Sequence, residues 1–192
     1  MYFVVVDRFF DGNPDNNAGV DSNLTDDTRT DWGKYWGGDL QGVIDKLDYL
    51  QGLGVTAVWL TPLFEQIEMM AWDSAPIHGY WAKDWKRLNR RWVSNDDEVR
   101  ALFRTDTVFD RLIAALHERG MKLVFDIVCN HSSPDVNGTK GQLYDDGTLI
   151  ADFHDDQNNW YHHYGSVQDW SSDWQVQNCE LAGLAKIGRA HV

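Results

Sequence analysis

Three short apolar runs set the frame for this chain: residues 2–6 (YFVVV), 56–60 (TAVWL) and 122–128 (KLVFDIV). Runs of this length fit strands that are buried on both faces. Between the first two, Leu40, Val43, Ile44, Leu47 and Leu50 recur on one helical face, with Asp39 placed to cap the helix and Gly54 to stop it. Between the second and third, Val108, Leu112, Ile113 and Leu116 repeat the pattern, ended by Gly120. Continuous strands alternating with amphipathic helices predict a parallel sheet covered by helices. The helix-to-strand joins are short, whereas the segments after the strands, 7–38, 61–106 and 132 onward, are long and polar. That asymmetry puts the functional loops at the carboxyl ends of the strands, as in a (β/α)8 barrel or an open doubly wound sheet. No glycine-rich phosphate turn follows the first run, which weighs against an unrelated open-sheet protein holding a nucleotide or phosphate. A whole barrel takes roughly 250 residues. Three visible strands in 192 residues predict the front of one.

Composition narrows the partners. Thirty acids against 17 bases give a formal charge of −13, the wrong sign for tracking phosphates, so nucleic acid is not expected. No stretch is apolar for long enough to span a bilayer, and no membrane is expected as a partner. The N-terminus lacks the basic region and small-residue cleavage site of a signal peptide, which suggests a mature N-terminus or a piece of something longer. Cys129 and Cys179 have no metal-site spacing, and Cys129 is expected to be a buried free thiol. Ten tryptophans are unusual, and eight (Trp32, Trp36, Trp72, Trp81, Trp85, Trp160, Trp170, Trp174) fall in loop-like segments. Flat aromatic faces in loops suit a sugar ring, whose C–H face is apolar and whose rim is polar; equally, such rings brace long loops.

Three polar clusters carry chemistry. DGNPDNN (11–17), followed by GGD (37–39), offers carboxylates, carboxamides and carbonyls, the hard oxygen donors that calcium takes in flexible sets of six to eight. The spacing is not that of an EF-hand, and a metal-free Asx-turn loop is the plainer alternative. HGYWAKDW (78–85) sets His78 beside Tyr80 and Trp81 after a strand, either a sugar platform or a packed loop corner. DIVCNH (126–131) places Asp126, Asn130 and His131 at the carboxyl end of the third run, where polar residues of a barrel strand read as a site. An inward carboxylate is costly unless paired, so Asp126 is expected to be buried with a partner.

Together these blocks resemble the α-amylase family of retaining α-glucan enzymes. LVFDIVCNHSSP resembles the family's first signature block, Asp–x–x–x–Asn–His. GGDLQGVIDKLDYLQGLGVTAVWLTPLFE resembles its first helix and second strand, and HGYWAKDW its stacking-tyrosine loop. DRFFDGNPDNN with the later GGD is most similar to the cyclodextrin glucanotransferase branch. The resemblance runs from Tyr2 to about Ala185. It implies an α/β fold: the first three strands of a (β/α)8 barrel over 1–131, then the start of an inserted loop-rich domain over 132–185. It implies a calcium held by Asp11, Asn13, Asn16, Asn17, Gly37 and Asp39, and a second held by Asn130. Tyr80 would stack under a sugar, with His78 and Trp81 beside it. His131 would donate a hydrogen bond to that sugar, and Asp126 would orient its neighbours. The implied activity is cleavage or transfer of α-1,4-glucosyl units in starch or maltooligosaccharides, in a secreted protein. The alternative is a non-catalytic glucan- and calcium-binding protein of the same fold.

Two departures qualify the resemblance. The family's nucleophile and general acid follow later strands, and no acid of this chain stands at a matching position, so no catalytic residue is assigned. ELAGLA (180–185) resembles a block that in the family continues Leu–Ala–Asp–Leu–Asn, with the Asp a calcium ligand; here Lys186 stands in its place. A cation at a calcium-ligand position is electrostatically wrong. KIGRAHV (186–192) is also what AAG ATC GGA AGA GCA CAC GTC, a sequencing-adapter sequence, encodes. Residues 186–192 are therefore expected not to be native protein.

Overall fold

The structure, a computed structural model, describes residues 1–188 apart from Val20 and Arg104, with the backbone alone for 101–103. In chain order the first elements are strand β1 (Tyr2–Val4), helices α1 (Val6–Phe9), α2 (Leu40–Asp45) and α3 (Leu47–Gly52), and strands β2 (Ala57–Leu60), β3 (Phe64–Gln66) and β4 (Ala82–Leu88). Helix α4 (Val108–Glu118), strands β5 (Lys122–Phe125), β6 (Leu143–Asp145) and β7 (Thr148–Ala151), and helix α5 (Asp173–Asn178) follow.

The three apolar runs form one parallel sheet in the order β1–β2–β5. Strand alternation gives its two faces opposite roles. Val4, Val58 and Leu60 turn into a core built with Leu40, Val43, Leu47 and Leu50 of α2 and α3 and with Leu112 and Leu116 of α4. On the other face the row Phe3–Trp59–Val124 is open, with Phe3 46% and Val124 37% exposed. Burial on both faces was expected; only the helix-facing side is covered, because no element among the described residues packs over the other.

The strands are also shorter than their apolar runs. After Val4 the chain leaves the sheet for α1, held there by the buried Asp7 carboxylate, which accepts from the backbone N–H groups of Trp36 and Gly37. Strand β5 stops at Phe125, so Asp126 stands just beyond it. The first helix is broken in two at Lys46, and Asp39 caps its start by accepting from Gly42 N at 2.6 Å. Helix α4 opens with a full capping box between Thr107 and Asp110.

The segments read as loops hold a second sheet. Its order is β3–β4–β6–β7, with β4 and β6 parallel and the outer pairs antiparallel. Asp146 and Gly147, both at positive φ, turn β6 into β7. This sheet clamps the long segments against the carboxyl end of the parallel one, through contacts such as Phe64 against Phe125 (5.3 Å between rings).

Candidate functional site

The two clusters at 78–81 and 126–131 meet at the carboxyl end of β5. Gly79, at φ +83°, folds the chain so that Tyr80 N–H donates to His78 Nδ1 (2.9 Å) and the two rings stack at 5.8 Å. The His78 ring stands edge-on to Trp81 at 4.7 Å. Trp81 itself is buried with Ile67 and Ala71, so it supports His78 rather than offering a face. The Tyr80 hydroxyl donates to Asp126 Oδ2 at 2.9 Å, and the Trp59 indole N–H donates to the same oxygen at 3.1 Å. Asp126 is half-buried, not buried as expected, because it lies past the strand on the open face. Partial burial, then the bond to Asp126, pushes the Tyr80 phenol up to about 12. Burial, then the nearby His131, pulls His78 down to about 4, so its ring is neutral at ordinary pH.

His131 closes the group. Its Nε2–H donates to the Tyr80 carbonyl at 3.1 Å, and its Nδ1 accepts from Asn130 Nδ2 at 3.2 Å. The hydrogen bond foreseen from His131 to a sugar is therefore taken up by the Tyr80 backbone here. Burial lowers the His131 pKa, while its bond to the Tyr80 carbonyl acts against that shift. The Asn130 side-chain oxygen accepts from the Lys186 ammonium, which is buried beside it and whose pKa burial lowers. A cation already satisfies that oxygen, so Asn130 does not fit a calcium in this chain as it stands. The rest of the tail expected to be non-native, 189–192, lies outside the described residues.

The oxygen-rich loop behaves differently. Asp11 Oδ1, Asn16 Oδ1 and Asn17 Oδ1 are all buried and all lack a hydrogen-bond partner. Three orphaned oxygens in one loop are costly unless a cation takes them, and hard neutral and anionic oxygens suit calcium. Gly37, at φ +91°, packs on the Asn17 amide so closely that a Cβ would lie 2.5 Å from its Oδ1. Asp39 and Asn13 serve the scaffold instead. The Asp39 carboxylate accepts from Gly12 N, Asn13 N, Asn16 Nδ2 and Gly42 N, filling its acceptor positions, and burial raises its pKa against those bonds. Asn13 donates to the Ser94 carbonyl and caps Asp15 N. The residues that fit a calcium are thus Asp11, Asn16 and Asn17, beside Gly37. Among the described residues no group of three or more His, Cys, Asp or Glu side chains could hold a metal, so carboxamides are essential to any such site.

Two residues with clear roles were missed from sequence. Trp59 sits inside an apolar run, where nothing marks it as the donor to Asp126; strand alternation against Val58 and Leu60 is the signal that finds it. Arg91 is almost wholly buried, binding the Asn17 and Asp21 carbonyls, Thr25 Oγ1 and Glu68, and lying 4.4 Å over the Tyr35 ring. It ties the oxygen-rich loop to the segment before β4. Of the loop tryptophans, Trp32, Trp72, Trp170 and Trp174 are exposed, and Trp85 donates to the Val128 carbonyl. Cys129 is exposed, against expectation, because the strand has ended before it.

Comparison with known proteins locates this geometry. A family model described as alpha amylase, catalytic domain, matches residues 3–183. The cyclomaltodextrin glucanotransferase of Klebsiella oxytoca is 36% identical over 197 aligned positions, covering 100% of this chain and 28% of the relative. That of Thermoanaerobacterium thermosulfurigenes is 40% identical over 184, covering 90% and 24%. Among solved structures, the three-domain cyclomaltodextrin glucanotransferase CldA superposes with a TM-score of 0.86 at 36% identity, over 97% of this chain and 38% of that one. An α-amylase from Geobacillus thermoleovorans, complexed with acarbose, superposes at 0.65 and 28% identity, over 97% and 32%. The chain spans about a quarter of the length of the curated relatives it matches.

Proposed function

The chain belongs to the α-amylase family and carries the first three strands of its (β/α)8 barrel, and from that premise we propose that it is the glucan- and calcium-binding end of an enzyme acting on α-1,4-glucans. The observation that carries this reading is the convergence of Tyr80, His78, Asp126 and His131 at the carboxyl end of β5, where barrel enzymes assemble their sites. Tyr80 offers a ring fixed at its hydroxyl, which is what stacking on the apolar face of a sugar requires. Starch and maltooligosaccharides are the substrate class, and the parent protein is secreted. Its chemistry is a retaining displacement by two carboxyl groups. The nucleophile and the general acid are supplied by chain beyond these 192 residues, a reading supported by the quarter of the relatives' length covered here. This part alone is inactive.

Calcium, when bound at Asp11, Asn16 and Asn17, supplies a structural clamp on the loop that follows β1. Cross-linking by Arg91 and the Asp39 cap hold the loop's frame around it.

Titration of the purified chain with maltotriose, in calcium and followed by tryptophan fluorescence, tests the reading. Saturable quenching that Tyr80→Ala abolishes is the expected result. No response in the parent sequence, or an equal one in Tyr80→Ala, would overturn it.

A further inference from the structure

Strand alternation turns Val58 and Leu60 into the core and leaves Trp59 on the opposite face. That is the face a (β/α)8 barrel turns inward, and among the described residues the row neighbours of Trp59, Phe3 and Val124, are exposed. Its ring is braced on one side by Phe3, edge-on at 5.0 Å. Its indole N–H, which is only ever a donor, reaches Asp126 Oδ2, the same oxygen that takes the Tyr80 hydroxyl. Asp126 stands beyond the last ladder residue of β5, so the sheet does not fix its side chain. Trp59 does belong to a fixed element: β2 is the central strand, paired to β1 and β5.

We propose that Trp59 is a positioning residue, whose indole N–H holds the Asp126 carboxylate where it fixes the Tyr80 ring for sugar stacking. The role of Tyr80 as a sugar platform is the part that rests on the function proposed above; the clamp itself rests on the geometry alone. A carboxylate oxygen shared by two donors from separate segments has one orientation that satisfies both. Removing either donor frees it to turn toward water.

Trp59→Phe is the test, because it keeps an aromatic ring against Phe3 and removes only the N–H. In the ligand-free chain, spectrophotometric titration against a Tyr80→Phe reference isolates the Tyr80 phenol. Its midpoint, pushed up to about 12 in the parent, falls in Trp59→Phe as Asp126 turns away. An unchanged midpoint, or a rise, shows the carboxylate still in place and overturns the proposal. Maltotriose affinity gives the second readout. Trp59→Phe weakens binding about tenfold, as expected for a lost hydrogen bond to a charged group, and has no effect in a Tyr80→Phe background, which keeps the ring but lacks the hydroxyl that Asp126 holds. An equal loss in both backgrounds overturns the positioning role. Absence of maltotriose binding in the parent chain would sink the proposed function, and the ligand-free titration would still decide the clamp.

Discussion

Tyr80 and Asp126 are 46 residues apart in sequence and joined by one hydrogen bond, from the phenol to Oδ2 at 2.9 Å. That bond links the segment before β4 to the end of β5, two segments that the topology otherwise holds on different sheets. It makes the phenol a reporter on the site. Burial is the first cause of its raised pKa and Asp126 the second. In Asp126→Asn the Tyr80 midpoint therefore falls from about 12 but stays above that of an ordinary tyrosine. A midpoint that does not move in this variant would mean the two groups are not bonded in solution.

His78 makes the site sensitive to acid. Its folded pKa of about 4 lies below the ordinary 6.5. The unfolded chain thus binds a proton that the folded chain refuses between those values, and stability is lost as pH falls through that window. The loss approaches about 3 kcal/mol by pH 4 from this group. His131, whose pKa is also lowered, adds to it in the same direction. Urea unfolding at pH 7 and at pH 4.5 measures the difference. His78→Asn, which keeps an acceptor for Tyr80 N–H, reduces the drop. Equal stability of the parent chain at the two pH values would contradict the assignment.

How much of this was legible in the sequence depended on periodicity. The apolar runs and the helical faces gave the parallel sheet and the helices that cover one of its faces, because burial of Val58, Leu60, Leu112 and Leu116 needs those spacings. The second sheet did not show: β3 and β6 are three residues each, too short for alternation to register. Asp146–Gly147 was a readable turn signal, and β6–β7 could have been found from it. Site residues were visible as polar interruptions of apolar pattern, which is why Asp126 and His131 stood out and Trp59 did not. The division of labour inside the oxygen-rich loop was invisible, since Asp39 and Asp11 look alike in sequence. Only the bonds around Asp39 separate a cap from a candidate ligand.

Arg91 braces the loop through several buried contacts. Its Nη1 and Nη2 reach Thr25 Oγ1 at 2.7 Å, the Asp21 carbonyl at 2.8 Å and Glu68 at 3.3 Å, in a side chain only 2% exposed. Arg91→Met takes the guanidinium from Glu68 and the Asp21 carbonyl, while the Asn17 carbonyl keeps the Thr25 hydroxyl. A buried ion pair broken on one side costs about 3–5 kcal/mol, and urea unfolding of this variant is expected to show a loss of that order. A loss below about 1 kcal/mol, the level of a surface pair, would mean that water replaces the guanidinium in solution.

Calcium separates the two places where it was expected. The first loop leaves Asp11, Asn16 and Asn17 with orphaned buried oxygens, while the Asn130 oxygen is already held by Lys186. Calcium therefore raises the thermal midpoint of the parent chain, by about 2.7 kcal/mol of added stability at a hundredfold excess over its dissociation constant. Chelation reverses the gain. Asn17→Ala removes one ligand and most of the response, and Asn130→Ala leaves it intact because that oxygen is not part of the site. Magnesium substitutes poorly, since it demands a smaller octahedral shell and keeps its waters. Should Asn130→Ala abolish the calcium response while Asn17→Ala preserves it, the cation would sit at the end of β5 instead, and Lys186 would have to leave its buried position to admit it.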